Sequence, residues 1–351
     1  MKIEKLNEEN MKLWKTFFEK NSEAKFQHSH KFKEVIEKTY KNCKGEYYFS
    51  KNNGKIKAIF PFISVKSKLL GDKMISLPFL DNGGFLGKYD KKDIKELFKN
   101  LENIEIRLNS SMKNFSKDKK ILNSLGLEAD KSRQQFIIKL TSEEDLWKRF
   151  HKHTRNDIRK AEKSRLKLKS IALDEELEKF YELYFKNMKF FGTPQHSYKF
   201  FKNLFEIMKE NVVGFNCYYK GSLAGSIIMF YEKKCGYICF NVSDPKYREH
   251  RPNDILYWEM IKLAIKKRIK YLDLGQIDKD SSDQRAIGLY KFKRKWLGDV
   301  YDRIYFYYDL EKKENKKEKK DKLKKFRSTW RKIPAPILKK LGPKIASQLG
   351  I

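Results

Sequence analysis

The segment DQRAIGLYKFKRKWLGD, Asp283 to Asp299, sets one lysine apart in a lysine-rich chain. At about 100° per residue, Ala286, Leu289, Tyr290, Phe292, Trp296 and Leu297 gather on one helical face, while Lys291, Arg294 and Lys295 fall on the other. Lys293 stands three residues before Trp296 and four from both Leu289 and Leu297, so it points into the apolar stripe. A cation held there works in a lower effective dielectric than at the surface, and suits a negative charge that develops on an oxygen. The alternative is a snorkelling lysine whose stem covers Leu289 while its ammonium reaches water.

Other residues suit chemistry near that lysine. In YLDLGQID, Asp273 and Gly275 end a strand, the place where α/β folds commonly bind ligands. Asp273 either orients a base or caps the next turn, with Gln276 and Asp278 near the mouth. GTPQHS offers His196 to a substrate, against the alternative of an exposed loop histidine. Tyr237 and Asn241 read as one face of the strand GYICFNV and would line an acceptor cleft. DNGG, Asp81 to Gly84, supplies backbone donors and a carboxylate, or is an ordinary tight turn. The sequence has neither a serine-hydrolase elbow nor a Cys/His signature, so a protein nucleophile is not indicated.

The elements that position these residues repeat. EYYFSKNNGKIKAIFPFISVKS reads as strand, Asn-Gly turn, strand, followed by the apolar run KMISLPFL, a helix near Lys91–Leu101 and the strand IEIRL. GFNCYYKGSLAGSIIMFYE reads as strand, Lys-Gly-Ser turn, strand, followed by CGYICFNV, a loop, a helix over Asp254–Arg268 and the strand YLDLG. The same order twice predicts two copies of one α/β unit. A boundary fits near Leu140, after the strand QQFIIKL, where Thr141-x-x-Glu144 has a capping-box pattern. The helix it opens carries Leu146, Trp147, Phe150, Ile158 and Ala161 inward. Its outer face holds Lys148, Arg149, Lys152, Arg155, Arg159, Lys160 and Lys163: either a solvated face or a phosphate-tracking patch.

At 351 residues, 40% hydrophobic and 14% aromatic, the chain can bury real cores. Cys43, Cys217, Cys235 and Cys239 support neither a zinc site nor a disulfide framework. With no run of 18 apolar residues and no signal-type start, the expected location is the cytoplasm. A net charge of +33 implies attraction to polyanions, whether nucleic acid, an anionic membrane or a phosphorylated substrate. From residue 311 the chain changes character. EKKENKKEKKDKLKK is followed by Leu323, Phe326, Trp330 and Ile333 at helical spacing, then by a segment punctuated by Pro334, Pro336 and Pro343. This basic amphipathic tail either docks on the protein or contacts the inner membrane surface.

The segments SLPFLDNGGFLG, HTRNDIRKAEKS, FFGTPQHSYKFFKNL, YLDLGQIDKDSSDQRAIGLYKFKRKWLG and IPAPILKKLGPKIASQLG cover most of the chain in order. They resemble the FemAB-like transferases, particularly the FemAB-related proteins found alongside exopolysaccharide and exosortase systems. The resemblance implies an α/β (α+β) chain of two tandem GNAT-like folds, mixed sheets flanked by helices, over 1–140 and 141–310, with a basic helical tail over 311–351. It implies transfer of an aminoacyl or acyl group onto an amine of a cell-envelope precursor, of peptidoglycan or polysaccharide type. The Phe-Lys pair of such proteins matches Phe292–Lys293, the lysine stabilising the transition state. Members that build peptidoglycan bridges draw on aminoacyl-tRNA, whereas others use acyl-CoA. The pyrophosphate loop of acetyl-CoA users has closely spaced glycines. Here KYREHRPNDIL has none, which counts against coenzyme A and leaves Arg248, Arg251 and a helix start at Asn253 as a less selective anion site.

The expected site thus has Lys293 and Asp273 in catalysis, with Tyr290, Phe292, Gln276, His196, Asn241, Arg248, Arg251, Arg155 and Arg159 against substrate. No metal or tightly bound cofactor is expected, and the chain reads as a monomer or weak dimer. Two other readings stand beside this one: an acyl-CoA-dependent N-acyltransferase for an amino sugar or lipid, and a non-catalytic RNA-binding module.

Overall fold

The computed structural model describes residues 3–79, 83–99, 101–279, 284–308 and 325–350. Asp81 and Asn82 of the DNGG segment and the charged stretch 311–324 lie outside them. The chain forms two compact units: residues 1–133, 301–323 and 344–351 in the first, 134–300 and 324–343 in the second.

The first unit carries β1 (Ile3–Lys5), β2 (Cys43–Asn52), β3 (Lys55–Val65), β4 (Lys73–Ile75), β5 (Leu86–Gly87) and β6 (Ile104–Asn109). Its helices are α1 (Met11–Lys20), α2 (His30–Thr39), α3 (Lys91–Phe98) and α4 (Phe115–Ser124). The strand order is β1-β2-β3-β4-β6, with β5 beside β3. Among the described residues of this unit, β4 and β6 run parallel and the other pairs antiparallel. Asn53 and Gly54, both at positive φ, close the β2–β3 hairpin as an Asn-Gly pair should. Phe60, Phe62 and Phe85 pack with Ile94, Leu97, Ile104 and Ile106 to form the core.

The second unit takes β7 (Glu128–Lys139) from Gln134 onward, then β8 (Lys167–Ser170), β9 (Val212–Tyr219), β10 (Ser222–Glu232), β11 (Cys235–Ser243) and β12 (Tyr271–Asp278). Their order is β7-β12-β11-β10-β9-β8, with β11 and β12 parallel. Its helices are α5 (Glu143–Arg149), α6 (Lys152–Lys163), α7 (Glu175–Phe191), α8 (Tyr198–Ile207), α9 (Pro252–Lys266) and α10 (Gln284–Arg294). One face of the strands packs Ile227, Met229, Ile238, Leu272 and Leu274 against Ile158 and Ala161 of α6 and Ile255, Leu256, Met260 and Ile261 of α9. On the other face, Tyr184 of α7 and Phe201 of α8 pack against Phe240, with Phe180 of α7 against Phe201.

Three local expectations are corrected. The predicted single helix from Thr141 is two helices, because Phe150 and His151 are extended between α5 and α6. The cap of α5 is Ser142, whose Oγ accepts from the Asp145 N–H, while the Thr141 hydroxyl donates to the Asp145 carboxylate instead. Tyr237 and Asn241 do not share a face. Opposite β10, the register steps from Ile228↔Phe240 to Met229↔Ile238, leaving Cys239 as a bulge residue that inverts the side-chain alternation.

Beyond β13 (Asp299–Tyr308), which pairs antiparallel with β6, the tail docks on the protein. Trp330 is buried, as are Leu338 and Ala346 of α11 (Ala335–Leu349). The Gln195 amide donates to the Leu338 carbonyl at 2.8 Å.

Candidate active site

Lys293 lies in the last turn of α10 and is only 6% exposed. Its Nζ donates to the Gln276 carbonyl on β12 at 3.0 Å. The ammonium is therefore held inside the unit, and the lysine does not snorkel. Burial of α10 concentrates in that last turn. Trp296 just beyond it is fully buried, whereas Leu289, expected inward, is 43% exposed.

Aromatic rings fix the helix. Trp296 stacks on Tyr257 of α9 with centroids 5.5 Å apart, Phe292 meets Tyr257 edge-on at 4.9 Å, and Tyr290 meets Phe136 of β7 at 5.5 Å. Edge-to-face pairs of this kind contribute about 0.5–1.5 kcal/mol each beyond the area they bury. Tyr290 and Phe292, expected against substrate, thus hold α10 in place.

On β12, Asp273 is buried, accepting from the Gly275 N–H at 2.7 Å and from Gln135 Nε2 at 3.2 Å. Gly275 has φ +82°, where a side chain would be strained, so the carboxylate closes a kink one residue before the carbonyl that receives Lys293. Of the two roles open to Asp273, capping the turn is the one its contacts display. Tyr237 stands opposite Asp273 in the parallel register. Burial, with Cys235 and Asp273 nearby, pushes its phenol well above the ordinary range.

The expected solvated face of α10 is corrected at Lys295. Its ammonium pairs with Asp157 of α6 at 3.0 Å and with buried Asp254 in the first turn of α9. Arg251, at φ +60° ahead of Pro252, reaches the same Asp157 at 3.3 Å. Burial raises the Asp254 carboxyl above its ordinary value, and Lys295 pulls it back down. The N-terminus of α9, expected as an anion site, instead has Asp254 in its first turn and Asp157 of α6 beside it, both paired with cations of the chain itself. Asn241 is also engaged there, donating to Asn253 Oδ1 at 3.1 Å and to the Ser226 carbonyl at 3.2 Å. Arg248 is exposed, and its carbonyl accepts from the Arg251 N–H.

The basic face of α5 and α6 is partly spent as well. Arg155 donates to the carbonyls of Phe150, Lys148 and Trp147 at 2.7, 3.2 and 3.3 Å, capping the C-terminal end of α5. Arg159 lies over the Trp147 ring at 5.4 Å. Lys148 and Arg149 pair with Glu144 and Asp145, so Lys152, Lys160 and Lys163 remain as exposed cations.

His196 is not at a mouth. It is 6% exposed, stacked on Phe200 at 4.3 Å and edge-on to Phe240 at 5.9 Å. Burial lowers its pKa from 6.5 to about 3. An unfolded chain therefore takes up a proton below about pH 6.5 that the folded chain refuses, and stability drains away as pH falls from there toward 3. We expect wild type to lose stability over this window faster than His196→Phe, by up to about 1.4 kcal/mol per pH unit. Urea unfolding of both chains at stepped pH measures the difference in slope; equal slopes would refute the assignment.

Among the described residues, no group of three His, Cys, Asp or Glu side chains is arranged to hold a metal, and no helix is long and apolar enough to cross a membrane. Sequence reasoning missed the Asp157–Lys295–Asp254 cluster and Gln135. The only signal was an aspartate in the first turn of a predicted helix.

Residues 148–294 match the Acetyltransferase (GNAT) domain family. A stretch of 75 residues is 35% identical to the lipid II:glycine glycyltransferase of Staphylococcus haemolyticus (strain JCSC1435), spanning 21% of this chain and 18% of that protein. Among solved structures, FemX superposes with a TM-score of 0.69 at 13% identity, covering 88% of this chain and 98% of FemX. L-PGS from Bacillus licheniformis gives 0.56 at 10% identity, covering 92% and 98%. A tandem GNAT protein from the clavulanic acid biosynthesis pathway gives 0.54 at 8% identity, covering 89% and 99%.

Proposed function

We propose, from the FemAB-like resemblance of the sequence and a fold shared with FemX and a tandem GNAT protein, that the chain moves an aminoacyl or acyl group from an activated ester onto an amine of a cell-envelope precursor. The observation that carries this reading is Lys293, buried within the GNAT-matching span with its Nζ on the Gln276 carbonyl. The neutral amine attacks the donor carbonyl carbon, and the carbonyl electrons move onto oxygen. Lys293 stabilises that oxyanion in a partly dehydrated setting. Collapse restores the carbonyl and breaks the ester C–O bond. The proton lost by nitrogen ends on the leaving oxygen, giving an amide and a free hydroxyl. Asp273, through the Gly275 kink, is the positioning residue.

Aminoacyl-tRNA is the donor this reading favours. Asp254 places a carboxylate in the first turn of α9, and the loop ahead of that helix lacks the closely spaced glycines that would cradle a coenzyme A diphosphate. The acceptor reading, a peptidoglycan-type precursor, draws on the lipid II in the matched glycyltransferase's name. The tail would hold the chain at the inner membrane surface. Ile337 and Leu341 are exposed beside Lys340, and Lys186, Lys189, Arg331 and Lys339 line a shallow cavity of about 630 Å³ between α7 and the tail.

Calorimetric titration of the full chain tests the donor. Coenzyme A should show no saturable binding tighter than about 1 mM. Charged tRNA should bind, and weaken steeply as salt rises. Micromolar coenzyme A binding would overturn the donor reading and revive the amino-sugar or lipid N-acyltransferase alternative.

A further inference from the structure

The turn between β3 and β4, SKLLGD, holds two adjacent leucines out of the first unit. Leu69 is 56% and Leu70 50% exposed, more than any other aliphatic pair adjacent in the described chain. Their exposure is built in. Ser67 Oγ accepts from the N–H groups of both Leu69 and Leu70, at 3.3 and 3.1 Å. The Ser67 N–H in turn donates to Asp72 Oδ1 at 3.0 Å, and Gly71 closes the turn at φ +71°. The Lys68 N–H is tied to Gln348 Oε1 of α11 at 3.0 Å, and Lys66 exchanges backbone and side-chain bonds with Asn42. Backbone this thoroughly bonded presents its side chains without an ordering cost on contact.

Charge selects the occupant. Lys66 and Lys68 are exposed and Lys73 half-buried, while the one acid of the turn, Asp72, is engaged with Ser67. Exposed leucines interleaved with exposed lysines fit an interface whose outer layer is anionic and whose next layer is hydrocarbon. We propose that the 66–73 turn is a preformed membrane anchor, Leu69 and Leu70 entering the acyl boundary of an anionic bilayer with Lys66 and Lys68 on its phosphates. This rests on the reading of the protein as membrane-peripheral, but on a different element from the tail.

Sedimentation of the full chain with phosphatidylglycerol-containing vesicles, against pure phosphatidylcholine, tests it. Two arms are compared, L69S/L70S in the turn and I337S/L341S in the tail; all four positions are exposed, so melting temperature should not move. Wild type should bind the anionic vesicles only, and L69S/L70S should lose about ten-fold in partitioning. Leu70→Trp should shift its emission to the blue on adding those vesicles. If L69S/L70S binds like wild type while I337S/L341S is lost, the anchor is the tail and this proposal is overturned. A chain that ignores vesicles overturns both. A concentration-dependent dimer abolished by L69S/L70S, without vesicle binding, would assign the leucines to a second copy of the chain and also overturn it.

Discussion

Lys295→Met is expected to lower stability by about 3–5 kcal/mol, a large part of what a domain of this kind possesses. The lysine's side chain is 19% exposed and that of Asp254 only 5%, so their interaction is little screened. Removing the ammonium strands the Asp254 carboxylate inside the unit. Arg251, whose side chain is 40% exposed and paired with Asp157, offsets only part of the loss. The dipole at the start of α9 returns only about 0.3–1 kcal/mol. Urea unfolding followed by tryptophan emission reads the loss, since Trp147, Trp258 and Trp296 all pack in this core. Adding Asp254→Asn should restore more than half of it. Because burial already raises the Asp254 carboxyl, protonation should relieve the single variant, whose deficit shrinks as pH falls. A loss below about 1 kcal/mol would mean the pair is screened like a surface bridge.

This lysine also marks the limit of what the sequence discloses. Helical periodicity sorted Lys293 from Lys291 correctly, because facing toward or away from a core is a property of one helix. It misassigned Lys295, because the carboxylates that draw it in belong to α6 and α9, 138 and 41 residues away. The hairpins were legible from Asn53-Gly54 and Lys220-Gly221, whose turn conformations are written locally. The bulge at Cys239 was not: an extra residue is defined only against the partner strand, and nothing in GYICFNV announces it. Arg155 looked like a free cation for the same reason. The break after Arg149 that gives it carbonyls to cap is a tertiary outcome, with Phe150 drawn into the core against Trp258 and Trp296. The FemAB-like resemblance and the tandem α/β architecture were readable; the wiring of the site was not.

The rate of amide formation in a single turnover tests the central claim most directly. Charged tRNA and an amine-bearing envelope precursor would be mixed with excess wild type, Lys293→Met or Lys291→Met, and the product followed by mass. Methionine keeps the stem volume of Lys293 and removes the charge. It leaves the Gln276 carbonyl without that donor, a cost of about 1–3 kcal/mol, so unfolding curves must accompany the rates. Lys291 is exposed and serves as the control; Lys295, given its ion pairs, does not. The account predicts a folded Lys293→Met chain slower by about 10²–10³, the loss typical of one oxyanion donor, beside an unchanged Lys291→Met. Equal rates for the two variants would contradict it and leave Lys293 a structural brace for β12.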